Sequence, residues 1–282
     1  NCVIKNNSVI DTATTFVGPF VYYGSSVAGG GIHSTYYEYY NLDFARTPSR
    51  PKNMLSINNC IISGNTVSCL ANSKNNKSVG GGISVCGASD FQLINSEVSN
   101  NTTTSKGESD GGGLYLLYTN SGYKINNSTI SNNIAQSSGS YTSQLSGTRG
   151  NAFGGGVYAN GYTLINSSGR PNQYQPQTSL LIQNSTISTN KAMRTSGSVT
   201  LQSAQGGGIS SEYMSINILN TTIADNAVIN SSANGAGIYY LADPDYYGMN
   251  LKNSIIANNE VFAQYINYSY SFGSGMGGYP FG

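Results

Sequence analysis

Hydrolysis, elimination and metal binding draw on a short list of side chains, and this chain is poor in them. Its 282 residues include 12 acidic residues and one histidine. Two carboxylates converging from neighbouring segments can supply the acid and base that cleave a glycosidic bond, and three can hold Ca2+. Three groupings have suitable spacing: Glu108 with Asp110, Asp243 with Asp245 across a proline, and Glu38, Asp43, Arg46 and Arg50 together. The remaining acids, Asp11, Asp90, Glu97, Glu212, Asp225 and Glu260, share no common spacing. Turn chemistry and loop solvation account for all of them, so the sequence predicts no catalytic residue and no metal site. His33 lacks a second histidine or a nucleophile to act with and is expected at a surface or edge. No glycine run is followed by the Gly-Lys-Ser/Thr of a phosphate loop, and no cofactor is expected. The four cysteines, Cys2, Cys60, Cys69 and Cys86, have no Cys-x-x-Cys spacing, which points to bridging rather than metal binding.

The elements that must position these residues form a repeat. One motif is a glycine run followed by an apolar residue, beginning at Gly29, Gly80, Gly111, Gly154, Gly206 and Gly235, with a degenerate copy at Gly275. The other, Asn-[Cys/Ser/Thr]-x-[Ile/Val]-x-x-Asn, begins at Asn1, Asn59, Asn95, Asn127, Asn184, Asn220 and Asn253. Its copies are spaced by 58, 36, 32, 57, 36 and 33 residues, and Asn1 to Asn127 and Asn127 to Asn253 are each 126 residues. The chain therefore divides into two three-coil units, 1–126 and 127–252, and a partial third, 253–282, within one domain.

Segments such as Phe91-Gln92-Leu93-Ile94 and Ser215-Ile216-Asn217-Ile218 alternate with period two, and no helical stripe is present. The pattern predicts an all-β, right-handed parallel β-helix of about seven coils, with three strands per coil and a triangular cross-section. Equivalent residues of successive coils then lie about 4.8 Å apart. Ile4, Ile62, Val98, Ile130, Ile187, Ile223 and Ile256 form an aliphatic stack. The seven leading Asn residues form a structural ladder at a corner of positive φ, with amides bonded coil to coil. Cys2 and Cys60 share one motif position in adjacent coils, within bridging distance, which leaves Cys69 to pair with Cys86.

Composition narrows the partners. The net charge is +1 with 9% charged residues and no basic or acidic block, which excludes nucleic acid and membrane-surface binding. No apolar run is long enough for membrane insertion. Gly and Asn number 35 each, yet 38% of residues are hydrophobic and 22 are Tyr. Tyr22, Tyr23, Tyr36, Tyr37, Tyr39 and Tyr40 crowd the first coil, and Tyr265, Tyr268, Tyr270 and Tyr279 the last. These are candidate contact residues for a second copy or a carbohydrate, with cover for exposed coil edges as the plain alternative. Asn-x-Ser/Thr sequons at Asn76, Asn166, Asn230 and Asn267 lie outside the corner motif and are the candidate glycosylation sites.

The GGGI runs and the Ile-x-x-Asn segments at Ile62 to Asn65, Ile130 to Asn133, Ile187 to Asn190, Ile223 to Asn226 and Ile256 to Asn259 resemble the repeats of polymorphic outer membrane proteins and related autotransporter passenger domains. In those repeats a Phe usually stands where this chain has Ile or Val. The resemblance implies surface display and adhesion, with no active site to carry over. The expected protein is thus extracellular or cell-surface and non-enzymatic, an adhesin or a filament subunit. Because neither end is closed by a capping element, copies are expected to associate end to end. The rival readings are a polysaccharide lyase or hydrolase, since pectin lyases and polygalacturonases share this architecture, and a carbohydrate-binding β-helix.

Overall fold

A short strand with one apolar face cannot bury that face alone, and coiling places it against its equivalents above and below. The computed structural model describes residues 1–11, 26–35, 54–70, 76–86, 90–117, 122–138, 150–161, 179–195, 203–230, 233–242, 247–262 and 276–277. They form a right-handed parallel β-helix with all strands parallel and in register. A coil contains five strands rather than the three expected. In one coil these are Cys60–Ser63, Thr66–Cys69, Lys77–Val79, Ile83–Cys86 and Asp90–Ile94, and they belong to five sheets, here A to E in that order. Sheets A, B and D have seven strands each and C and E six, which makes seven coils.

The two strands missed belong to sheets B and C. Thr102–Ser105 and Glu108–Asp110 are polar throughout and carry no apolar alternation, so only their register to Thr66–Cys69 and Lys77–Val79 makes them strands. The interior is filled by Ile57, Ile62, Ile83, Phe91, Leu93, Leu114, Ile125, Ile130 and their equivalents. Each such side chain contributes roughly 1.5–3 kcal/mol by leaving water. The expected stack Ile4, Ile62, Val98, Ile130, Ile187, Ile223, Ile256 runs through sheet A in that order.

Three corners keep a short, nearly constant length from coil to coil. Sheets A and B are always joined by two residues, and C and D by three. Sheets E and A are joined by one or two. At the E–A corner Asn59, Asn95, Asn127, Asn184, Asn220 and Asn253 adopt φ between 48° and 54°, as the sequence predicted. Their exposed amides bond coil to coil in part, Asn127 to Asn95 at 3.3 Å and Asn220 to Asn184 at 3.1 Å. Beside them Ser96, Ser128 and Ser185 form a hydroxyl ladder in which each Oγ accepts from the backbone N–H of the preceding coil.

The continuous buried amide ladder is a different set, Asn65, Asn101, Asn133, Asn190, Asn226 and Asn259 at the A–B corner. From Asn65 to Asn226 each Nδ2 donates to the next coil's Oδ1 at 2.9–3.0 Å, every Nδ2 donates to a carbonyl of the coil before, and each Oδ1 also accepts a backbone N–H. At the C–D corner Gly111 has φ +60°, and a Cβ on it would fall 2.2 Å from the Leu114 carbonyl oxygen, so only glycine fits.

The other two corners vary. Sheets B and C are joined by 14, 7, 2, 14, 9 and 3 residues in successive coils, and sheets D and E by 18, 3, 5, 18, 2 and 7. Both variable corners border the same pair of sheets, C and D.

Cys2 and Cys60 are cross-strand partners and form a disulfide with Cα atoms 4.6 Å apart. The second expected bridge is absent, because neither Cys69 nor Cys86 is in a disulfide. Cys69 ends a strand of sheet B and packs inward with Val27 and Val67. Cys86 ends a strand of sheet D and packs with the outer cluster of Val79, Tyr115 and Tyr158. Two strands and two corners separate thiols that an uninterrupted three-strand coil would have brought together.

Candidate functional site

The outer surfaces of sheets C and D approach each other across the glycine corner, and a cluster of ionisable groups lies there. In sheet C, Lys77 stands directly opposite Glu108, and Asp110 is the diagonal neighbour two residues on. Lys77 Nζ lies 2.5 Å from Glu108 Oε1 and 2.6 Å from Asp110 Oδ2. Asp110 is fully buried and its Oδ1 accepts no hydrogen bond, while Lys77 and Glu108 side chains keep 28% and 22% exposure.

Sheet D supplies the opposite wall. Tyr115 and Tyr158 are register partners whose rings stack at 5.4 Å, and Phe153 of sheet C extends the stack at 5.9 Å. The Lys77 ammonium sits 5.3 Å and 5.7 Å from the centres of the Tyr115 and Tyr158 rings. One coil further, the Tyr158 hydroxyl donates to Glu212 Oε2 at 3.1 Å. Asn160 Nδ2 donates to the same oxygen at 3.0 Å and to the Tyr158 hydroxyl oxygen at 2.9 Å.

Burial and charge split the titrations of these groups. Burial pushes Asp110 up and the neighbouring Glu108 charge pushes it further, so its carboxyl lies well above the ordinary aspartate range despite Lys77. Glu108 goes the other way: burial pushes it up, but the attraction of Lys77 and the hydrogen bonds with Lys77 and Asp110 together more than offset this. Burial opposes the Lys77 charge, but Asp110 and Glu108 more than offset it and hold the ammonium well above the usual lysine range. Burial raises Glu212 to about 7, against the hydrogen bond from Tyr158. Burial likewise raises Tyr115, Tyr158 and the Cys86 thiol. The two carboxyls are thus displaced in opposite directions, Asp110 towards the neutral acid and Glu108 towards the charged partner of Lys77.

The pairing of Glu108 with Asp110 was visible in the sequence, but its assignment to turn chemistry is corrected: both residues lie on a strand, beside a half-buried lysine. Lys77 and Glu212 were missed as members of the cluster. A signal for Lys77 existed, because Lys77 and Glu108 each stand three residues ahead of a glycine run, Gly80 and Gly111. The equal offsets of Asn160 after Val157 and Glu212 after Ile209 carried the same information. His33 is exposed, and its imidazole is shifted down by partial burial.

Two glycosylation candidates are overturned. Asn76 is 1% and Asn230 3% exposed, because both face inward beside the strands of sheets C and B, leaving no room for a glycan. Asn166 and Asn267 lie outside the described residues, as do the ten tyrosines named as contact candidates, Asp243 with Asp245, and the Glu38, Asp43, Arg46 and Arg50 grouping. Among the described residues no three of His, Cys, Asp and Glu come together as metal ligands, and no helix is long and apolar enough to cross a membrane.

Fold and site together define a parallel β-helix with one loop-bordered, ion-rich face. Comparison with protein-family models, with curated proteins and with solved structures found no match to this chain.

Proposed function

We propose that the protein is an exported, non-enzymatic recognition scaffold that presents its C–D face and the bordering connections at a cell surface, as an adhesin does. The observation that carries this reading is the confinement of all large length variation to two corners. Insertion at the A–B, C–D or E–A corner would break the amide, glycine or hydroxyl ladder, so those corners keep one, two or three residues. The B–C and D–E connections range from 2 to 14 and from 2 to 18 residues and flank one face on both sides. A rigid scaffold with variable loops around one surface is a common design for binding. The resemblance to polymorphic outer membrane protein repeats supports the same reading. So does the Cys2–Cys60 bridge, which persists in oxidising surroundings. Carbohydrate is the proposed ligand class, since the half-buried Phe153 ring at the end of the aromatic stack and the Asn160 amide beside it offer an apolar face and a polar edge.

The test replaces residues 36–53, the 18-residue connection after Thr35, by the three-residue Gly87-Ala88-Ser89 of the next coil. Both forms are then applied to a glycan array and, on beads, to cultured cells. The expected result is an unchanged melting temperature with loss of binding. Equal binding by both forms, or detection of the native protein only in the reducing cytosol, would overturn the reading.

One observation favours a second reading, polysaccharide cleavage. Glu212, raised to about 7, shares a face with Glu108 and Asp110, and separated carboxyl titrations are what acid/base work uses. Incubation with acidic and neutral polysaccharides decides between the two. New reducing ends or unsaturated products, lost in Glu212→Gln, would replace the scaffold by an enzyme.

A further inference from the structure

Lys77, Glu108 and Asp110 have more proximity and less water than an ordinary ion pair requires. The register pairs Lys77 with Glu108, Ser78 with Ser109 and Val79 with Asp110, so two neighbouring strands hold the three groups together for the lifetime of the fold. Asp110 is wholly enclosed and one of its oxygens has no hydrogen-bond partner. A carboxylate left so is costly, whereas an uncharged carboxyl or an amide is not. The Tyr115 and Tyr158 rings cover one side of the ammonium and limit its contact with water, the Lys77 side chain keeping 28% exposure.

We infer that Lys77 and Asp110 are joined by an intramolecular amide bond, formed without an external catalyst, with Glu108 carrying the protons. The ammonium passes one proton to the Glu108 carboxylate along their hydrogen bond. The freed Nζ lone pair attacks Cγ of the neutral Asp110 carboxyl, 2.6 Å from whose Oδ2 the nitrogen already sits. Glu108 returns its proton to the departing hydroxyl and takes the next proton from nitrogen. A C–N bond forms, a C–O bond breaks and one water leaves. The ion pair and the neutral acid become an amide and a protonated Glu108, with charge conserved and no change of oxidation state. Such a dehydration is unfavourable between ions in water. Here the reactants' charges are desolvated and their effective concentration is set by the strands.

Asp110 is the electrophile rather than Glu108 because Glu108 accepts the Nζ hydrogen bond and keeps partial contact with solvent. The assignment agrees with the opposite displacements of the two carboxyls, Asp110 towards the neutral acid and Glu108 towards the charged base. The disulfide ties the first coil to the second, and the Lys77–Asp110 amide ties the second to the third. This inference is independent of the proposed function.

The experiment is intact-protein mass spectrometry of the reduced, denatured full chain, followed by tandem mass spectrometry of its digest. Wild type is expected to weigh one water less than its sequence and to yield a branched peptide joining Lys77 to Asp110. Lys77→Arg and Asp110→Ala should have full mass. Glu108→Gln, folded by far-UV circular dichroism, should also have full mass, which loss of a merely structural ion pair does not predict. A wild type of full mass, a water loss without the branched peptide, or a branch at Glu108 would each overturn the proposal. If the variants fail to fold, the wild-type mass and its branched peptide still decide.

Discussion

Asn133 and Asn127 are six residues apart and chemically identical, yet the structure assigns them very different weights. Asn133 Oδ1 accepts from the backbone N–H and the side-chain amide of Asn101, both at 3.0 Å. Its Nδ2 donates to the Val98 carbonyl at 2.9 Å and to Asn190 Oδ1 at 3.0 Å, and all of this is buried. Asn133→Leu keeps the volume and removes all four bonds. The Val98 oxygen belongs to a sheet strand, and Asn190 Oδ1 keeps the Asn133 backbone N–H, so those acceptors are not abandoned. Two buried donors on Asn101 are: its backbone N–H and one amide proton. At about 1–3 kcal/mol for each stranded group, the cost is about 2–6 kcal/mol, a large fraction of a domain's stability.

Asn127 sits at φ 49° with its amide exposed and one bond of 3.3 Å to Asn95. Asn127→Ala forfeits the left-handed tolerance of Asn, costing about 1 kcal/mol, and little else. The assay is equilibrium urea unfolding of oxidised protein followed by far-UV circular dichroism, with hydrogen exchange at the Asn101 amide as a local reporter. The Asn101 amide should lose protection in Asn133→Leu and keep it in Asn127→Ala. Equal destabilisation by the two substitutions would refute the assignment of the buried ladder.

Ile187→Asp places an unpaired charge between Ile130 and Ile223, costing several kcal/mol, and secretion should fail; normal yield with an unchanged melting temperature would contradict the stack. Thiol titration of unfolded, unreduced protein should find two groups, Cys69 and Cys86, and four or none would contradict the bridge assignment. Glu212 binds its proton more tightly folded than unfolded. Its contribution is therefore fully present below pH 4.5 and lost as pH rises through about 7. Glu212→Gln should flatten the decline of stability across that window, and a wild-type slope in the variant would contradict it. In a glycosylating host, sugar should be absent from Asn76 and Asn230, and glycopeptide mapping that finds it there would contradict their burial.

The coil repeat, the aliphatic stack, the positive-φ asparagines and the first disulfide were all legible in the sequence. Each arises from a rule acting at one fixed offset: period-two burial, one small position, one corner residue. Stacking copies this rule from coil to coil, so repetition reveals it. The polar strands of sheets B and C escaped because Thr102–Ser105 and Glu108–Asp110 are strands only through their neighbours' hydrogen bonds. The pairing of Cys69 with Cys86 failed for the same reason, since the unseen strands carry the thiols into different clusters. Lys77 and Asp110 are 33 residues apart, in adjacent coils with connections of different length. Sequence determines which residues face in or out along a strand. Which ones meet across strands is decided by register, because a difference in loop length changes their separation along the chain but not their contact in the folded coil.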